Sequence, residues 1–241
     1  MNHGSDRRKV TARGAMLIDS DLDWTGLGEN SPFETASGRP VAASRGRGAA
    51  WFLEAGGRPC VLKHYRRGGL MARALRDRYL WLGEARVRSF AEFELLAALC
   101  ALALPVPRPL AARYERAWGG LIYRCDLITE RIPDARPLSE WLSEAALPEE
   151  RWRRIGATVG RLHQARVDHA DLNAHNLLID HQGLVSVIDF DRGRVRGAPG
   201  RWMGRNLARL ERSLHKIARS LPAERFTPVT WSWLLAGYAS G

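Results

Sequence analysis

From residue 41 onward, apolar and polar positions alternate in short runs broken by glycine, the pattern of an antiparallel sheet. The runs are 41–44 and 49–53 on either side of Arg45-Gly46-Arg47-Gly48, then 60–65 after the turn Gly56-Gly57-Arg58-Pro59. The order is strand, glycine loop, strand, turn, strand. Residues 66–88 are strongly basic with Leu70, Leu75, Tyr79, Leu80, Trp81 and Leu82 interleaved, which predicts a helical insertion. A helix over about 89–103 follows, with Ser89 as its N-cap and Pro105 as its stop. Two more strands flank the Trp118-Gly119-Gly120 turn and end near Glu130.

Beyond Arg131 the periodicity changes. Ile132-Pro133-Asp134 reads as a short linker, and Trp152, Ile155, Val159 and Leu162 then fall on one stripe of a helix. Two short strands, 177–179 and 184–188, flank a His181-Gln182-Gly183 turn, and residues 203–221 and 227–238 are helical in pattern. The class is therefore α+β: a sheet lobe with one helix over residues 1–131, and a mainly helical lobe over 132–241. A length of 241 residues suits one large domain or two lobes.

Composition narrows the setting. Hydrophobic residues at 45% and charged residues at 26% are globular values. The best apolar run, 93–106, is broken by Glu94 and stopped by Pro105, short of the roughly 18 residues that a membrane span requires. Arg7, Arg8, Lys9 and Arg13 precede only the apolar scrap 15–18, too short for a signal-peptide core, so a cytosolic setting is expected. Cys60, Cys100 and Cys125 lack C-x-x-C spacing, are odd in number and sit in apolar runs, as reduced core thiols do. The net charge of +11 implies an anionic partner: nucleic acid, a membrane surface or a phosphorylated substrate. Nearly all of that charge is arginine, since the only lysines are Lys9, Lys63 and Lys216.

The stretch with chemistry is His169-Ala170-Asp171-Leu172-Asn173-Ala174-His175-Asn176, followed after a strand pair by Asp189-Phe190-Asp191. It resembles the H-x-D-x-x-x-x-N catalytic loop and the metal-binding D-F-G of protein-kinase-like phosphotransferases. On that pattern Asp171 orients an acceptor hydroxyl and accepts its proton, while Asn176 and Asp189 hold a metal. The plain alternative is a polar loop whose Asp and Asn only cap turns. Upstream, Lys63 lies in the apolar strand Val61-Leu62-Lys63, where an ammonium needs an anionic partner and ATP phosphates would supply one. Glu92 and Glu94 both qualify as its helical partner. Glu92 is preferred because it precedes the Leu95-Leu96 pair by three residues, as the kinase pattern has it. Gly46 and Gly48 are expected to cover phosphates through backbone N–H groups, although Trp51 stands where G-x-G-x-x-G wants its third glycine. Residues 128–133 occupy the place of an adenine-binding hinge.

Five segments carry a closer resemblance: Lys63-His64-Tyr65-Arg66-Arg67-Gly68-Gly69, Arg88-Ser89-Phe90-Ala91-Glu92-Phe93, Leu104-Pro105-Val106-Pro107-Arg108-Pro109, His169-Ala170-Asp171-Leu172-Asn173 and Ile188-Asp189-Phe190-Asp191-Arg192-Gly193. Over roughly residues 46–203 the chain resembles the 3-deoxy-D-manno-octulosonic acid (Kdo) kinases of Gram-negative bacteria, relatives of the lipopolysaccharide core heptose kinases. The resemblance implies a two-lobed kinase-like fold. It also implies use of ATP and Mg2+, phosphorylation of a Kdo hydroxyl (the 4-hydroxyl in that family) on Kdo-lipid IV(A), and peripheral attachment to the cytoplasmic face of the inner membrane. No nucleic-acid partner is expected. The competing acceptors are a core heptose, an aminoglycoside or a protein, and a catalytically silent kinase-shaped module that holds nucleic acid or membrane is the alternative from another class. A basic face disfavours a cationic aminoglycoside.

Departures from protein kinases are equally informative. Ala170 replaces the arginine of H-R-D, Asp191 replaces the glycine of D-F-G, and no A-P-E segment follows, so an activation-loop phosphate switch is not expected. Asp191 is open between a second metal ligand and a partner for Arg192 or Arg194, and His169 is expected to support the loop. Arg201, Arg205, Arg209, Arg212, Lys216 and Arg219 recur at steps of three or four opposite Met203, Leu207, Leu210, Leu214 and Ile217. That helix is basic and amphipathic, while the 66–88 insertion is the better candidate for a membrane surface.

Overall fold

The computed structural model describes residues 7–20, 33, 49–55, 57–66 and 77–241. These fall in two compact units, Met1–Ala97 with Arg108–Arg131, and Ala98–Pro107 with Ile132–Gly241. The strand expected at 41–44 and the glycine loop with Gly46 and Gly48 lie outside the described residues.

The first unit is built on an antiparallel sheet of strands β1 (Arg7–Thr11), β2 (Gly14–Ile18), β3 (Ala49–Ala55), β4 (Arg58–His64), β5 (Tyr79–Leu80), β6 (Pro109–Ala117) and β7 (Ile122–Glu130). Its order is β1-β2-β6-β7-β4-β3, with β5 on β7. The register sets Lys63 of β4 opposite Leu127 of β7 and Ala50 of β3. One face closes over Met16, Phe33, Cys60, Leu62, Leu110, Ala111 and Ile128. Because side chains alternate along a strand, Leu62 and Lys63 take opposite faces. Helix α1 (Arg88–Ala101) packs through Phe90 against the Tyr114 ring, with centroids 5.2 Å apart. Burial pushes the Cys125 thiol of β7 up to about 12, so this core cysteine stays a protonated, inert packing group.

Three readings of the sequence need correction here. The β1–β2 hairpin was not expected, because Arg7, Arg8 and Lys9 mask the strand pattern; the basic N-terminal run is an outer strand, where charge is tolerated and discourages further pairing. The helical insertion fails over its described part, since residues 77–87 contain only β5 and a 3-10 turn at Glu84–Arg86. The tyrosines explain it: Tyr79 pairs with Tyr123 across β5 and β7, and Trp81 packs between Tyr114 and Tyr123. Ser89 lies inside α1 rather than capping it, and its hydroxyl donates to the Arg113 carbonyl at 2.9 Å.

The second unit contains helices α2 (Leu138–Glu144), α3 (Glu149–Gln164), α4 (Arg201–Ala218) and α5 (Pro228–Ser240). Strand β10 (Leu177–Ile179) pairs with β11 (Val185–Val187) and with β8 (Arg136–Pro137), and β9 (Val167–Asp168) pairs with β12 (Arg194–Val195). The expected stripe is realised in α3, where Trp152, Ile155, Val159 and Leu162 are fully or almost fully buried. The buried line of α4 is instead Trp202, Asn206, Leu210 and Leu214, one residue round from the expected Met203–Leu207 start. Helices α3 and α5 meet through glycine: a Cβ on Gly156 would overlap the Leu234 carbonyl, and one on Gly237 would overlap the Arg153 carbonyl. Since rigid backbone stands at both points, Gly237→Ala should cost about 3 kcal/mol, the upper range for overpacking, and lower the thermal midpoint by roughly 2–4 °C per kcal/mol. Differential scanning calorimetry checks this.

Candidate active site

In the first unit, β4 presents Lys63 on the face opposite Leu62, where α1 brings Glu92. Lys63 Nζ donates to both Glu92 oxygens, at 2.9 and 2.7 Å. Glu92 is 4% exposed, whereas Glu94 is exposed on the outer side of the helix. The geometry thus pairs Lys63 with Glu92. A third group was not anticipated: the buried Tyr65 hydroxyl donates to Glu92 Oε2 at 2.5 Å, and Lys63 Nζ lies 4.7 Å from the centre of the Tyr65 ring. The signal in the sequence was Tyr65 itself, an aromatic two residues beyond the lysine and so on the same side of the strand. Tyr65→Phe should lower kcat/KM for ATP about tenfold, the worth of one hydrogen bond to a charged group, with the melting curve little changed. A full-activity Phe variant would show that Lys63 alone orients Glu92.

In the second unit, the catalytic-loop sequence is locked by backbone and side chain together. His169 is buried beside Phe190, with ring centres 4.7 Å apart. Its Nδ1 accepts the Asp171 N–H at 3.2 Å while its Nε2 donates to the Ile188 carbonyl at 3.0 Å. That pairing fixes a neutral tautomer with the proton on Nε2, so His169 supports the loop. The Asp171 carbonyl accepts from the Asn173 and Asn176 amides, both at 2.9 Å. The Asp171 carboxylate is left 60% exposed, and its one partner among these contacts is Arg209 Nη1 at 3.4 Å.

Asn176 also accepts the Ile188 N–H on its backbone oxygen at 3.0 Å, which sets Asp189 beside it in the chain that leaves β11. Asp189 has φ 64°, a left-handed conformation uncommon among non-glycine residues, though aspartate and asparagine enter it more readily than most, and concentrated at functional turns. The Gly193 N–H closes the turn on the Phe190 carbonyl at 2.7 Å, and β12 then returns to pair with β9 just before the loop. Asp191 is half-buried in that turn. With its amide nitrogen on Asp171, Asn176 has its side-chain oxygen left for a ligand; together with the Asp189 carboxylate this is a hard-oxygen set suited to Mg2+.

One further residue holds the loop. Asn206 is buried in α4, receives the His169 N–H on Oδ1 at 3.0 Å and donates to Asp168 at 2.9 Å. Burial raises the Asp168 carboxyl, but bonds from Arg196 and Asn206 outweigh it and hold the group below the usual carboxylate range. Its stabilising effect is complete above the ordinary carboxylate pKa and is lost as the pH falls through the depressed value. Asn206 could have been found from its position, a lone amide in line with Trp202, Leu210 and Leu214.

A sheet-based unit with a lysine–glutamate pair, and a helical unit with an Asp–Asn loop beside a strained Asp-Phe-Asp turn, define a protein-kinase-like phosphotransferase. A sequence model of the Lipopolysaccharide kinase (Kdo/WaaP) family matches residues 31–238, and the chain belongs to that family. It is 48% identical over 212 residues to a 3-deoxy-D-manno-octulosonic acid kinase of Xanthomonas campestris pv. campestris, covering 87% of this chain and 84% of the relative. A protein of the same name from Stenotrophomonas maltophilia is 47% identical over 206 residues, covering 85% and 81%. Another from Xanthomonas axonopodis pv. citri is 51% identical over 179 residues, covering 74% and 70%.

Proposed function

We propose that the chain transfers the γ-phosphoryl group of ATP to a hydroxyl of the Kdo sugar on Kdo-lipid IV(A), the 4-hydroxyl by family resemblance, in lipopolysaccharide core biosynthesis. The observation that carries this reading is the fixed loop around Asp171 in a chain so similar to proteins of that name. ATP supplies the electrophilic phosphorus, and Mg2+ neutralises charge on its phosphates. Lys63, held by Glu92, would bind phosphate oxygens, and Asn176 with Asp189 would hold the metal; the sequence assigns the covering of the phosphates to Gly46 and Gly48, which lie outside the described residues. Asp171 accepts a hydrogen bond from the acceptor hydroxyl, aligns its oxygen and takes its proton as the new P–O bond forms and the bond from the γ-phosphorus to the β-phosphate oxygen breaks, releasing ADP. Offering ATP with Kdo-lipid IV(A), a heptose-bearing core and a generic protein acceptor, then locating the phosphate by NMR, tests it. Phosphate on the Kdo 4-hydroxyl is expected; preferential labelling of the heptose or the protein would reassign the acceptor.

We also propose peripheral attachment to the anionic cytoplasmic face of the inner membrane. No described helix is long and apolar enough to cross a membrane. Support comes from one end of the first unit's sheet, where Leu80, Leu82, Trp118 and Leu121 are each more than 60% exposed. The Trp81 N–H bonds the Leu121 carbonyl at 2.9 Å, and the Arg78 guanidinium lies 5.0 Å from the centre of the Trp118 ring. Exposed Arg86 and Arg116 flank this corner. Apolar tips rimmed by arginine suit an interfacial layer, with about 1 kcal/mol from each arginine at an anionic surface. Trp118→Ser/Leu121→Ser should release the protein from phosphatidylglycerol-containing vesicles in co-sedimentation. Undiminished binding would move the contact elsewhere.

A further inference from the structure

Helix α4 is fastened to the catalytic loop on both sides of Arg209. Three residues earlier, Asn206 bonds Asp168 and the His169 N–H; four residues later, the Ser213 hydroxyl accepts the Ala174 N–H at 3.2 Å. Positions 206, 209 and 213 share one helix face, the one turned to the loop. Arg209 is thereby held over Asp171, 3.4 Å from its Oδ1, with the two side chains 45% and 60% exposed. A pair this exposed and this long contributes little to stability. The buried carboxylate nearby, Asp168, has its own guanidinium in Arg196 at 2.8 Å and does not need Arg209.

We propose that Arg209 is the carboxylate-binding residue of the acceptor site and selects a sugar acid over a neutral sugar. This rests on the acceptor reading above. A guanidinium offers a planar fork of N–H donors that matches a carboxylate in two parallel bonds, and the single long contact to Asp171 uses one of five. With a neutral sugar, the cation stays on Asp171 and occupies an oxygen that the incoming hydroxyl needs. With a sugar acid, the guanidinium turns to the acceptor carboxylate and frees Asp171 Oδ1 for the hydroxyl. The carboxylate thus anchors the acceptor and uncovers the base in one movement, so discrimination arises at the group that distinguishes Kdo from a heptose.

Steady-state kinetics of wild type, Arg209→Gln and Arg209→Lys, with Kdo-lipid IV(A) and with the same acceptor carrying a methyl amide in place of its Kdo carboxylate, test the proposal. Arg209→Gln is expected to raise the acceptor KM at least tenfold with the ATP KM unchanged, and Arg209→Lys to recover part of the loss. The amide should impair wild type as much as the substitution does and add nothing further in Arg209→Gln. An unchanged acceptor KM in both variants, or full additivity of amide and substitution, overturns the proposal while leaving the acceptor assignment standing. Absence of any transfer to Kdo-lipid IV(A) by wild type overturns the acceptor assignment and this proposal with it. Thermal melting of each variant confirms that the helix remains docked through Asn206 and Ser213.

Discussion

Asp171→Asn and Asp189→Asn should each reduce phosphoryl transfer by at least about 10^2 to 10^4, the range that a positioned proton acceptor contributes, while the protein stays folded. The structure explains why folding survives. The backbone of Asp171 is fixed by the His169 ring and by the Asn173 and Asn176 amides, none of which touches its carboxylate. Asparagine keeps the shape and loses the base. At Asp189 the backbone has φ 64°, a region that asparagine enters as readily as aspartate, so the exchange removes charge without adding strain. Turnover assays with circular dichroism separate loss of chemistry from loss of fold. Near-normal kcat in either folded variant would remove that residue from the mechanism.

Lys63→Ala should lower kcat/KM for ATP by about 10^2 to 10^3, the cost typical of losing one preorganised donor to developing charge, whereas Lys216→Ala should leave it unchanged. Lys216 is exposed on α4, while Lys63 is three-quarters buried and bonded to a carboxylate that is itself almost wholly buried. Removing the ammonium leaves the buried Glu92 carboxyl beside Tyr65 without its cation, so the single variant should also lose stability. Lys63→Ala/Glu92→Gln should melt higher than Lys63→Ala and remain equally inactive, which isolates the loss of phosphate binding from the damage to folding. Lys63→Arg is expected to be poor as well, because a planar guanidinium is longer and shaped differently from the compact ammonium. Equal effects at Lys63 and Lys216 would contradict the assignment of Lys63.

Much of the fold and site is legible in the amino-acid sequence, for identifiable reasons. The α3 stripe, the β6–β7 hairpin and the β10–β11 pair follow from periodicity with clear turn residues between them. Lys63 stood out because lysine is rare in this arginine-rich chain, and Asp171, Asn176 and Asp189 because their spacing is that of a known catalytic loop. The β1–β2 hairpin was hidden because a charged outer strand has no alternation to read. Residues 77–87 misled because arginines between leucines imitate an amphipathic helix, when Tyr79 and Trp81 are in fact drawn into an aromatic cluster with Tyr114 and Tyr123. Tyr65, Asn206, Ser213 and Arg209 matter through what they touch in three dimensions. Their partners lie 27 to 39 residues away in sequence, beyond the reach of any local pattern.

One transfer is central to the proposed function. Purified protein incubated with γ-32P-labelled ATP, Mg2+ and Kdo-lipid IV(A) should move label onto the glycolipid, with the transfer abolished by a metal chelator and by Asp171→Asn. Label that stays in ATP or appears only as free phosphate, with folded protein and intact acceptor, would contradict it.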